Sequence, residues 1–123
     1  MGTSAILCKR INDGCYKCIT VHWDGDKLLP LLKFRYRYNY HVDELLELGD
    51  ASYLTGRLHP TPGIPHVFDF PEKDVSVFYN RDRGDRKEDC GPWFLTIDEI
   101  KATDHDYIYV FDGEWKVIRG EAS

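Results

Sequence analysis

Ala5-Ile6-Leu7-Cys8-Lys9-Arg10-Ile11-Asn12-Asp13-Gly14-Cys15-Tyr16-Lys17-Cys18-Ile19-Thr20-Val21-His22 is the stretch on which the fold turns. Ser4 to Ile11 reads as a strand. Asn12-Asp13-Gly14 then turns the chain, because Asn, Asp and Gly all tolerate positive φ. Cys15 to His22 returns as a second strand. Trp23-Asp24-Gly25-Asp26 interrupts it, with Gly25 as the expected turn residue.

Outward from this hairpin, the rest of the chain supplies more strands and short helical segments. Lys27 to Tyr40 carries both periods. Leu28, Leu31 and Leu32 sit at helical spacing, with Pro30 tolerable only in a first turn. Phe34, Tyr36, Tyr38 and Tyr40 alternate with Arg35, Arg37 and Asn39, as in a strand. A short helix ending near Tyr36 is the preferred reading, and a strand over 33–40 stays open. Val42 to Leu48 is a helix with Val42, Leu45 and Leu46 as its apolar stripe, ended by Gly49. Leu58 to Pro65 holds three prolines and a glycine and is a loop. Val75 to Tyr79 is a third strand. Asn80 to Pro92 reads as an exposed loop, and Thr96 caps a short helix. Tyr107 to Phe111, Asp112-Gly113 and Glu114 to Ile118 form a second hairpin.

The sum is an α+β single domain over 1–118, with an antiparallel sheet of about five strands and one or two short helices on one face. Residues 119–123 are expected to fray. Trp115 and Trp23 are expected to be buried, and Trp93 less so.

Composition sets the outer bounds. The chain has 123 residues, enough for one core. It is 42% apolar and 30% charged, a folded balance. No apolar run is long enough to span a membrane. No apolar block follows Lys9, Arg10 and Lys17, so no signal peptide is expected. Met1-Gly2 starts a myristoylation pattern, but Ile6 stands where Ser or Thr is needed. The net charge of −5 argues against unselective nucleic-acid binding through a globally basic surface. Aromatic residues make up 14%, much of it Tyr, which suits β-structure and contact surfaces.

Cys15-Tyr16-Lys17-Cys18 has zinc-ligand spacing, and Cys8 and Cys90 could complete a tetrad. Residues three apart on a strand point to opposite faces, however, so free thiols are expected and no metal. No phosphate loop, nucleophile elbow, zincin helix or EF-hand loop is present. Asp104 and Asp106 around His105 read as an ordinary charged loop.

Three constellations carry candidate binding residues, with no catalytic set among them. His22, Trp23 and Asp24 close the second strand. Trp23 can stack a ring, and His22 or Asp24 can supply a polar contact or a proton. The plainer reading is a core Trp followed by a turn. Arg81 and Arg83 flank Asp82 before Gly84, and on an extended backbone both would reach one anion. Against that, Asp82, Asp85, Glu88 and Asp89 offer internal partners. Arg35-Tyr36-Arg37-Tyr38 interleaves basic and aromatic residues, as single-strand nucleic-acid binders do. Its shortness and the acidic residues behind it favour an edge strand or amphipathic helix instead.

Met1-Gly2-Thr3-Ser4, Val21-His22-Trp23-Asp24-Gly25, Glu44-Leu45-Leu46-Glu47-Leu48-Gly49-Asp50-Ala51-Ser52-Tyr53-Leu54, Val77-Phe78-Tyr79-Asn80-Arg81-Asp82-Arg83-Gly84-Asp85 and Tyr107-Ile108-Tyr109-Val110-Phe111-Asp112-Gly113-Glu114-Trp115 follow one another in order. This set resembles a family of small tailed-phage proteins of unassigned function. Two features depart from it. The glycine-containing segment after His-Trp-Asp-Gly is short here, and Asn80 stands where the family has His. The resemblance implies a phage accessory product in the host cytoplasm and specifies no chemistry.

The expected function is therefore binding: inhibition of a host defence system, such as a CRISPR complex or a nucleotide-signalling pathway. The partner would be a host protein, a protein–nucleic-acid complex or a small nucleotide, with no cofactor, no membrane contact and a homodimer left open. The alternative is a small phosphoester- or nucleotide-processing enzyme using His22 with Arg81 and Arg83. That alternative requires His22, Asp24, Arg81 and Arg83 to converge on one cleft. A virion or assembly component is the third option.

Overall fold

The computed structural model describes residues 3–120. The Met1-Gly2 start and the last residues of the expected tail, 121–123, lie outside the described residues. The opening hairpin forms as expected. β1 (Ala5–Asn12) and β2 (Cys15–Val21) pair antiparallel, with Ala5 opposite Val21 and Cys8 opposite Cys18. The Asn12 side chain accepts the Gly14 N–H at 3.0 Å and closes the turn.

The sheet is larger than expected and mixed. β6 (Tyr107–Phe111) lies beside β1 and runs parallel to it, and β7 (Trp115–Arg119) returns antiparallel to β6. The outer edge of β2 is shared. β3 (Ala51–Tyr53) meets its end at Val21 in parallel, while β5 (Trp93–Leu95) pairs antiparallel with Tyr16, Lys17 and Cys18. β4 (Val77–Phe78) lies outside β3, giving the order β4-β3-β2-β1-β6-β7. The expected third strand over Val75–Tyr79 is thus only two residues long, because Tyr79 starts a helix.

Helices cover both faces of the sheet rather than one. α1 (Leu28–Arg35) and α2 (Asn39–Glu47) bury Leu28, Leu32, Val42, Leu45 and Leu46 against Leu7, Ile19, Tyr109, Phe111 and Trp115. Each such side chain stabilises the fold by roughly 1.5–3 kcal/mol. The segment over 33–40 therefore follows the helical reading up to Arg35, and Tyr36 ends it with its ring in the core. The opposite face carries Ile6, Cys8, Cys18, Ile108 and Val110, packed under Ile100. Ile100 belongs to α5 (Ile97–Lys101), whose Thr96 makes a reciprocal capping box with Glu99. Central β1 is buried on both sides, which explains its unbroken apolar run of Ala5-Ile6-Leu7-Cys8.

The stretch read as an exposed loop, Asn80 to Pro92, contains α3 (Tyr79–Arg83) and α4 (Lys87–Cys90). Arg119 belongs to β7 and is not frayed. Its guanidinium donates to the carbonyls of Thr103 at 2.8 Å and His105 at 3.3 Å. Among the described residues, no helix is long and apolar enough to cross a membrane.

Candidate functional site

His22 and Trp23 are fixed where β2 runs out against β3. Their backbone N–H groups donate to the carbonyls of Ala51 at 3.0 Å and Ser52 at 2.9 Å. Two residues apart on one strand, Thr20 and His22 share the sheet face that α5 covers. Past the end of α5, the loop over 102–106 brings Asp104 and His105 to the same place. Ser4, Thr20, Val21, His22, Asp104 and His105 together line an open cleft of about 370 Å³.

Both imidazoles are held through Nδ1. The Tyr79 hydroxyl lies 3.3 Å from Nδ1 of His22, and the Ser4 hydroxyl lies 3.3 Å from Nδ1 of His105. Neither Nε2 atom makes a hydrogen bond among the described residues. Burial holds His105 below the usual histidine range, against the pull of Asp106 and Asp104. The His22 ring stacks on Trp23 at 5.3 Å between centroids. Trp23 is 44% exposed, which overturns its expected burial: it lies outside the core as a platform beside the cleft.

Asp24 turns away from this cleft. It adopts φ 60° and its carboxylate faces Lys27 at 3.9 Å. Asp24, not Gly25, is the left-handed residue of this turn. Gly25 is required for a different reason, since a Cβ there would stand 2.8 Å from both the Ser4 carbonyl carbon and the Thr3 oxygen.

Arg81 and Arg83 do not reach one anion together. They sit on α3 rather than on extended backbone, so their side chains diverge. Arg81 donates to both Asp82 oxygens, to the Leu58 carbonyl at 2.5 Å and to the Ser76 carbonyl at 3.0 Å. His66 approaches the same Asp82 carboxylate at 3.3 Å. Arg83 grips Asp85 through Nε at 2.9 Å and Nη2 at 2.6 Å, and lies over the rings of Phe68 and Tyr79. His22 and Arg83 therefore share Tyr79 as a neighbour, while Arg81 and Asp24 point elsewhere. The convergence that the His22–Arg81–Arg83 enzyme required is not formed.

Arg35 and Arg37 lie on the other face of the sheet, at the end of α1 and in the turn to α2. Sequence reasoning passed over His105 as part of a charged loop. Its only signal was a histidine between two carboxylates just before a strand, and which histidine it would face depends on the β1–β6 pairing. Cys8 and Cys18 are buried opposite each other, Cys15 lies on the other face of β2, and Cys90 is buried at the end of α4. Among the described residues, no group of three or more ligating side chains is placed to hold a metal ion.

Compared with protein-family models, curated proteins and solved structures, the chain matches none.

Proposed function

We propose that this chain acts by binding rather than by turnover, and that its ligand is nucleotide-like. The observation that supports this reading is the cleft beside Trp23. An exposed indole flanks a concave site where two imidazoles, two hydroxyl side chains and a carboxylate converge. A nucleobase needs those two things: a flat apolar platform and polar atoms along its edge. The cleft volume of about 370 Å³ suits a base with its sugar. Among the described residues no arginine lines this cleft, so recognition rests on the base rather than on the phosphates.

In a chain that resembles tailed-phage accessory proteins, capture of a nucleotide would serve to silence a host nucleotide signal. The test is a titration of the protein with mono-, di- and cyclic nucleotides, followed by calorimetry and by quenching of indole fluorescence. Saturable binding that is lost in Trp23→Ala supports the reading. Absence of heat and of quenching at millimolar nucleotide overturns it.

A second reading comes from the two histidines on one cleft. Such a pair can serve hydrolysis of a phosphoester, with neutral His105 taking the proton of the attacking water and the second imidazole giving one to the leaving oxygen. Chromatography of the nucleotide after incubation separates the two readings: unchanged ligand favours capture, and a cleaved ester favours catalysis.

A further inference from the structure

We infer that the turn between α1 and α2 binds single-stranded nucleic acid, on the face of the sheet opposite the His22 cleft and independently of it. Phe34, Tyr36, Tyr38 and Tyr40 alternate along this stretch, yet only Tyr36 enters the core. Its hydroxyl donates to the Thr55 carbonyl at 2.6 Å, and its own carbonyl accepts the Trp115 indole N–H at 2.8 Å. The other three rings remain outside, with Phe34 74%, Tyr40 66% and Tyr38 47% exposed. Tyr38 and Tyr40 stand nearly parallel, 5.8 Å apart and 4° from coplanar.

Cations sit against these rings. The Arg35 guanidinium lies 5.5 Å from the Phe34 centroid and that of Arg37 lies 4.8 Å from the Tyr38 centroid. Eight of the sixteen basic side chains are matched to a carboxylate among the described residues. Lys9, Arg10, Lys17, Lys27, Arg57, Arg81, Arg83 and Arg86 all make ion pairs. Lys33, Arg35 and Arg37 make none among the described residues, and they fall within one turn of chain. The carboxylates nearby are Glu44, engaged 3.3 Å from His59, and Glu114, which lines a cleft of about 200 Å³ with Lys33 and Arg37. Local charge is thus positive where the net charge is negative.

The combination selects the partner. An acidic polypeptide would satisfy the three cations but has no use for exposed flat rings. A single strand supplies phosphates to the cations and unstacked bases to Phe34, Tyr38 and Tyr40. A duplex hides its base faces and cannot use the rings.

The experiment is fluorescence anisotropy of labelled oligodeoxythymidylate of about 20 nucleotides, a length that exceeds one binding site. Three phosphate contacts predict a slope of log affinity against log salt of about −2, which is about a 20-fold loss between 50 and 200 mM salt. Arg35→Glu with Arg37→Glu should abolish binding. Phe34→Ala and Tyr40→Ala should each weaken it about tenfold. Phe94→Ala, an exposed ring on β5, should leave it unchanged. These side chains are at the surface, so circular dichroism should report an unaltered fold. The salt slope of the unmodified protein tests the claim without any variant. No binding at 50 mM salt overturns the inference. So does binding of polyglutamate or of duplex DNA as tight as that of the single strand, or equal loss in the Phe94 variant.

Discussion

Arg81 and Asp82 are neighbours in sequence and partners in space: Nε of the guanidinium donates to one carboxylate oxygen at 2.8 Å and Nη2 to the other at 3.0 Å. The Asp82 side chain is only 2% exposed, and its second oxygen also accepts the Phe78 N–H at 2.8 Å. Through the Leu58 and Ser76 carbonyls, the same guanidinium ties the proline-rich loop to β4. Arg81, expected to hold a ligand together with Arg83, is turned onto the fold instead.

Replacing Arg81 with Ala leaves a buried carboxylate without its counter-charge. The expected loss is about 3–5 kcal/mol, read as a fall in urea midpoint. Arg81→Lys should recover only part, because an ammonium cannot span both oxygens. Arg83→Ala should move the midpoint far less, since its pair with Asp85 is at the surface. Equal effects of the two alanine variants would contradict this division.

Acid should expose the same pair. Burial works against the Asp82 carboxylate, but the hydrogen bonds from Arg81 and from the Phe78 N–H outweigh it, and its pKa falls below the ordinary value. A carboxyl whose folded pKa is depressed stabilises the native state above its unfolded pKa, about 3.9. That contribution is lost as pH falls from there through the folded value. Urea midpoints measured at descending pH should therefore drop below about pH 4. In Asp82→Asn the drop should be shallower, from a lower plateau.

The hairpins, α2 and the capped α5 were legible because their signals are local: turn residues between apolar runs, an i, i+3, i+4 stripe, and Thr96 three residues before Glu99. The parallel pairing of β1 with β6 was not, since the two lie about a hundred residues apart and no local pattern encodes the register. β3 and β5 are three residues each, too short for a period. The candidate site was half legible. His22 and Trp23 could be picked from the end of β2, but His105 joins them only through that long-range pairing. Arg81 and Arg83 were misplaced because a helical turn over Tyr79–Arg83 replaced the assumed extended backbone.

The three indoles should respond differently to truncation. Trp115 is 2% exposed, packs on Phe111 and donates to the Tyr36 carbonyl. Trp115→Ala should cost about 3–5 kcal/mol. Trp23→Ala should melt within a few degrees of the parent, since its ring lies outside the core. Trp93 donates to the Asp50 carboxylate at 3.1 Å and should fall between them. Thermal unfolding of the three variants side by side orders them.

A chelator should leave the melting midpoint where it is. Cys18 lies in the apolar core on one face of β2, with Cys8 across from it, and Cys15 points to the other face. The neighbouring Cys18 thiol and burial raise the Cys8 thiol above its ordinary pKa, and the split of the cysteines over two faces of β2 keeps them from forming a tetrad. A midpoint lowered by EDTA would show that a metal contributes to folding.

The last expectation concerns Gly25, whose value lies in space rather than in dihedral freedom. Its N–H donates to the Thr3 carbonyl at 2.7 Å, and its own carbonyl accepts the Tyr109 hydroxyl at 2.6 Å. These two bonds lock the end of β2 against the start of β1 and against β6. A methyl group at this position would sit 2.8 Å from backbone atoms of Ser4 and Thr3 and 2.9 Å from the Ala5 side chain. Backbone that leads directly into the central strand β1 cannot yield without disturbing the sheet, so Gly25→Ala should be destabilising by roughly 1–3 kcal/mol. Asp24→Gly gives the opposite test of the same turn. Asp24 holds the left-handed conformation at φ 60° without a side-chain cap, so glycine there should be tolerated. Because Ser4 lines the cleft, Gly25→Ala should also weaken any ligand held by His22 and His105, while Asp24→Gly should not. Denaturant titrations and nucleotide titrations on the two variants check both halves. A stable Gly25→Ala protein would mean that β1 and β2 can part at this end without cost.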